Sequence, residues 1–159
     1  KKGNVYVTTV MFNHGREKIH DGKNIKDIAP LTRKDYRPSG CTALLDAVGN
    51  TILELSSDDK VKEHRVMVVI ITDGYENASR EFNREQVKNL IVQKQKDCGW
   101  EFVFLGANID SVKAAGGIGI APEFAKDFHA TSKGMRDTYA IVGNAISQVR
   151  DNRQISLDK

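Results

Sequence analysis

Val66-Met67-Val68-Val69-Ile70-Ile71-Thr72-Asp73-Gly74 is an unbroken apolar run that ends on a carboxylate and a glycine. Apolar residues at every position, not only at alternate ones, suit a strand covered on both faces, so the run predicts a strand in the middle of a parallel sheet packed between helices. Ligands of such sheets gather outside the carboxyl ends of the strands. Asp73 stands at that end, and Asp73-Gly74 carries turn chemistry.

Upstream of the run, Leu45, Val48, Ile52 and Leu55 recur at helical spacing and predict a helix to about Ser56, with Thr42 as its cap and Gly40 freeing the approach. Ser57-Asp58-Asp59-Lys60 is a polar break between that helix and the strand. Downstream, Asn83-Arg84-Glu85-Gln86 has capping-box form, Val87, Leu90 and Ile91 mark a buried helical face, and Gly99 is placed to end the helix. Trp100 to Leu105 predicts the next strand, with Gly106-Ala107-Asn108 as a tight exit and a short helix from Asp110 to Ala115, ended by Gly116-Gly117. Phe128-His129-Ala130 predicts a last short strand. Thr131 then caps a terminal helix with the stripe Met135, Tyr139, Val142, Ile146 and Val149, and the polar tail after Arg150 is expected to fray.

Toward the amino end, Asn4 to Phe12 is rich in β-branched and aromatic residues and predicts a strand. Asn13-His14-Gly15 turns the chain, Glu17 to His20 returns as a short antiparallel edge strand, and Lys23 to Ser39 is a connection anchored by Ile25, Ile28 and Leu31. Strands alternating with helices define the expected class: α/β, three-layer, with a mostly parallel doubly wound (Rossmann-like) sheet and one antiparallel edge strand. One domain over residues 1–150 and a polar tail over 151–159 account for the chain.

Composition narrows the function classes. With 159 residues, 40% of them hydrophobic, the chain can bury a core without disulfides. Twenty-four Lys and Arg against 21 Asp and Glu leave a formal charge of +3, too small and too scattered to favour nucleic acid. No apolar run is long enough to cross a bilayer, so no membrane partner is expected. Cys41 and Cys98 are read as free thiols, which favours a reducing, cytoplasmic setting. The chain opens on Lys1 and enters a strand almost at once, and so reads as a piece of something longer.

The chemistry rests on oxygen atoms brought together. Magnesium takes near-octahedral oxygen coordination at about 2.1 Å and keeps several waters, so a few hydroxyls and carboxylates suffice when they converge. Thr42 and Asp73 can supply such oxygens. Taken singly, the first reads as a helix cap and the second as a turn residue; as a pair they suggest a divalent-cation site. Ser39, Gly40, Asp46, Gly74, Glu76 and Asn77 are the candidates for its rim or support, although a helix-surface or capping role serves Asp46 at least as well and a solvated-loop role serves Glu76 and Asn77 better. His14, His20, His64 and His129 lack paired metal spacing, and no glycine-rich phosphate loop follows a strand. An α/β hydrolase or phosphatase using Asp73 as nucleophile or metal ligand is the alternative. It lacks a nucleophile elbow, a histidine pair or a second strand-end carboxylate.

Tyr36-Arg37-Pro38-Ser39-Gly40-Cys41-Thr42-Ala43-Leu44-Leu45-Asp46-Ala47 resembles the threonine loop of the von Willebrand factor type A (integrin inserted-type) domains, and Ile71-Thr72-Asp73-Gly74 resembles their aspartate loop. The resemblance runs from about Val5 to Arg150 and is particularly close to microbial members with the Tyr-Arg-Pro and Leu-Asp-Ala surroundings. It implies a metal-ion-dependent adhesion site on top of the sheet, where Mg2+ or another divalent cation completes its sphere with a carboxylate from a partner protein. Thr42 and Asp73 would be the second and third parts of that site. The first part, Asp-x-Ser-x-Ser at the end of the family's first strand, does not occur in these 159 residues, so the chain is read as lacking that strand and its helix.

Two expectations follow. With most protein oxygens gone, the chain should hold magnesium weakly or not at all. With a central strand missing, the Val5 and Val66 strands should carry unpaired backbone. Either the two strands close on each other, or another chain or an exchanged segment fills the gap, and a homodimer through sheet edges is one form of the latter.

Overall fold

The strand covered on both faces is the one after the quoted run. A computed structural model describes residues 3–32, 34 and 40–158. In it, β3 (Met67–Thr72), β4 (Glu101–Gly106) and β5 (Ala125–Asp127) form a parallel sheet in the order β3-β4-β5. β4 is therefore the middle strand and β3 an edge, which corrects the expectation drawn from the apolar run. The burial agrees: Phe102, Val103, Phe104 and Leu105 are all essentially inaccessible, whereas Met67, Val68, Val69 and Ile71 are only half-buried. The register is regular, Met67 opposite Glu101 through Thr72 opposite Gly106.

Strand alternation in β4 separates two cores. Phe102 and Phe104 point to one side, where they meet Leu45, Val48 and Ile52 of α1 (Leu44–Ser57), Val87 and Ile91 of α3 (Arg84–Cys98), and Ala115 of α4 (Ser111–Gly116). Val103 and Leu105 point to the other, against Ala145 and Val149 of α5 (Ser132–Arg150) and against Ile155 and Leu157. A short helix α2 (Asp59–Lys62) fills the polar break after α1. Helices on both faces of a parallel sheet make this an α/β fold in three layers.

Local signals hold where the chemistry is local. Asn83 and Gln86 form the reciprocal capping box of α3, and Gly99 ends that helix in the left-handed region at φ 64°. Thr131 accepts from the Gly134 amide and caps α5. Further details differ from the sequence reading. The last strand is Ala125–Asp127, set beside Phe104 by the turn at Pro122–Phe124, while Phe128 only extends the ladder by one bond to the Gly106 carbonyl. The inner face of α5 is Thr138, Ala145 and Val149, small enough for close approach, so Tyr139 lies outside and is 58% exposed. The tail does not fray through its length: Ile155 and Leu157 both enter the second core, and Lys126 Nζ donates to the Leu157 carbonyl.

The amino-terminal strands stand apart from that sheet. β1 (Tyr6–Phe12) pairs with β2 (Arg16–Asn24) as an antiparallel hairpin, with register shifts on either side of Thr9. Neither strand belongs to the β3-β4-β5 sheet. The hairpin is fastened to α1 instead, through Phe12 packed on the first core and through Arg16 and Lys18, which both pair with Glu54. Direct closure of β1 on β3, one of the two arrangements expected above, does not occur.

Candidate functional site

Helix α1 begins with four backbone amides that need acceptors. Thr42 does not supply one: the N-cap is Ala43, which has no side-chain cap. The acceptor comes from across the fold, where a Glu76 carboxylate oxygen takes the Leu45 amide at 3.0 Å. The other Glu76 oxygen takes the amides of Ala78 and Ser79, so one side chain both caps α1 and shapes the loop after β3. Asp46 works in the reverse direction. From the first turn of α1 it accepts the amides of Arg80, Glu81 and Phe82, while its own amide donates to Ser79 Oγ. Burial pushes the Asp46 carboxyl up, but these backbone donors, helped by Ser79, outweigh it and hold the group below its ordinary range.

These latches bring the two loops together. Asn77 takes the Thr42 amide on its side chain and gives its own amide to the Thr42 carbonyl. Thr42 Oγ1 consequently lies against Gly74, so close that a Cβ built there would sit 3.4 Å from it. Ala43 donates to the Asn13 carbonyl, which ties the end of β1 to the same place. On the far side, Tyr75 Oη accepts the Asp110 amide and links the loop after β3 to the loop after β4. All of this sits at the carboxyl end of the sheet.

Thr42 and Asp73 therefore share one edge of the molecule. Asp73 is exposed, and its carboxylate has no hydrogen-bond or ion-pair partner among the described residues. Gly74 is the wall against which Thr42 rests. Glu76, Asn77 and Asp46 are brought close but point their oxygens at backbone amides, so they are supports and not free solvated residues. Gly40 is exposed with open space around it, and Ser39 lies outside the described residues. Ser79 and Tyr75 were not legible as site residues, because their roles depend on partners more than thirty positions away.

As a magnesium site the arrangement is thin. Thr42 and Asp73 offer one hydroxyl and one carboxylate, and the oxygens of Glu76 and Asp46 are already engaged. Among the described residues no group of three His, Cys, Asp or Glu side chains could hold a metal ion. This donor set does not by itself satisfy an octahedral cation. Among the described residues no helix is long and apolar enough to cross a membrane. Comparison with known proteins finds no matching family model, no matching curated protein and no matching solved structure.

Proposed function

We propose that this chain is a protein-recognition module whose working surface is the carboxyl end of the sheet around Thr42 and Asp73. The observation that carries the reading is the convergence of the two loops on one edge, with an exposed carboxylate that the described residues leave unpaired while Glu76, Asn77 and Asp46 are committed to backbone amides. Its resemblance to von Willebrand type A domains supports the same surface and supplies the partner chemistry, a carboxylate on another protein.

Two carboxylates repel unless a cation lies between them. The partner carboxylate and the chain would then share the magnesium ion, which neither holds well alone. Calorimetry of the isolated chain with millimolar magnesium should show no saturable binding. Catalysis is the weaker reading, because nucleophilic attack by Asp73 would need a positioned base or charge-stabilising group beside it.

The experiment is affinity capture with the chain and with Asp73→Ala, each with and without magnesium. Proteins retained by the parent in magnesium and reduced about tenfold by the substitution support the reading. A set of partners indifferent to Asp73 overturns it. Phosphoester turnover that disappears in Asp73→Ala would install the hydrolase in its place.

A further inference from the structure

Asp-Gly occurs twice in the chain, at Asp21-Gly22 and at Asp73-Gly74. It is a sequence in which a backbone can react with itself. Glycine has no Cβ to shield its nitrogen or to restrict the rotation that brings that nitrogen onto the side-chain carboxyl carbon of the preceding residue. A fold decides whether the reaction proceeds by what it does with the two partners. Exposure does not separate the two sites, since both aspartates are exposed. Their bonding does.

Asp21 and Gly22 lie within β2, opposite the irregular stretch of β1 between Val7 and Thr9. The Asp21 carboxylate pairs with Lys18 Nζ at 3.3 Å, and the Gly22 amide donates to Thr8 Oγ1 at 3.0 Å. Electrophile and nucleophile are both engaged. Asp73 and Gly74 follow the last residue of β3 and belong to no strand. The Asp73 carboxylate has no hydrogen-bond or ion-pair partner among the described residues, and the Gly74 amide has only a contact of 3.4 Å with Thr72 Oγ1, longer than the usual range for an amide donor. Thr72 Oγ1 donates to the Gly74 carbonyl at 3.0 Å, which fixes the following peptide and not the one that reacts.

We propose that Asp73-Gly74 is a self-modification site, at which the folded chain cyclises to an imide and reopens as isoaspartate. The Gly74 nitrogen loses its proton and bonds to Asp73 Cγ, the bond from Cγ to its hydroxyl oxygen breaks, and one water leaves. Water then adds to a ring carbonyl and opens the imide. Aspartate returns if the new bond breaks, and isoaspartate forms if the original peptide bond after residue 73 breaks. Nothing is oxidised or reduced, and the water lost is regained. The isomer has one additional carbon in the main chain and its carboxylate directly on the α-carbon, so Gly74 is displaced from Thr42 Oγ1 and the strand-end carboxylate leaves its position. This inference does not use the recognition reading, although both concern the same loop.

The test is a time course on the whole chain in mildly acidic buffer, where a carboxyl can lose its oxygen as water, run folded and in urea. Isoaspartate is located by peptide mass mapping, with an endoproteinase that cuts before aspartate but not before its isomer, and is counted by an isoaspartyl carboxyl methyltransferase. Isoaspartate at 73 about tenfold or more ahead of 21 in the folded chain, with the two level in urea, supports the assignment. Gly74→Ala should lower the yield at 73 about tenfold and leave that at 21 unchanged. The variant keeps the fold, because the φ of Gly74 is not in the left-handed region and a Cβ there lies 3.4 Å from Thr42 Oγ1. Equal yields in the folded chain, more at 21, conversion only in urea, the same lead in urea as in the folded chain, or an undiminished yield in Gly74→Ala overturns it. No binding is measured, so failure of the recognition site leaves this result untouched.

Discussion

Asp46 fastens the loop after β3 to the first turn of α1, since three successive amides of that loop end on it. Replacing it by alanine should cost about 2 kcal/mol, measured by urea unfolding, and Asp46→Asn should cost less because the amide oxygen still accepts. The sign with pH follows from its lowered pKa. The folded value lies below the unfolded one of about 3.9, so the stabilisation is complete above that value and is lost as pH falls through the folded pKa. The Asp46→Asn chain should lose this acid dependence below about pH 4. Two glycines of α5 give opposite predictions. A Cβ at Gly134 would lie 1.9 Å from the His129 carbonyl oxygen, so Gly134→Ala should destabilise by about 1–3 kcal/mol. Gly143 has open space around it, and Gly143→Ala should stabilise by about 1 kcal/mol through helix propensity. Thermal unfolding of the pair reads both.

Among the elements, legibility divides by range. The capping box of α3 was readable because both partners lie within four residues, and so was Thr131 on α5. The cap of α1 was not, because its acceptor, Glu76, is 31 positions away from Leu45. Thr42 had the right residue type in the right place, but the chain turns so that its hydroxyl faces Gly74. The apolar run over β3 identified a strand correctly and misplaced it in the sheet, since composition reports what a strand could pack against and not what does. The hairpin β1-β2 adds an electrostatic contact to α1. Arg16 chiefly, against the opposing effect of burial and with help from Lys18, holds the Glu54 carboxyl below its usual range, and Glu54 in turn raises Lys18. These side chains lie at the surface and are partly exposed, so Glu54→Gln should change stability by no more than about 0.5 kcal/mol and less in high salt.

For the whole molecule, the α/β class and the two loops of the candidate site were legible in the sequence, while the second core was not. Two of its six buried residues come from a segment whose composition is polar. Ile155 and Leu157 bury their side chains there, and each truncation to alanine should cost about 1.5–3 kcal/mol, seen as a lower denaturant midpoint with little change in its slope. A polar substitution at Ser156, which lies between them and is exposed, should be nearly neutral.

That buried tail decides how the protein can be handled. Leu157 is buried in the second core, so a load applied to the chain just after it passes straight into the packing under the sheet. Pulled there, the molecule would open from its second core outward. Attachment through an exposed side chain remote from both the tail and the Asp73 loop, such as Cys98 at the end of α3, leaves the sheet unstressed.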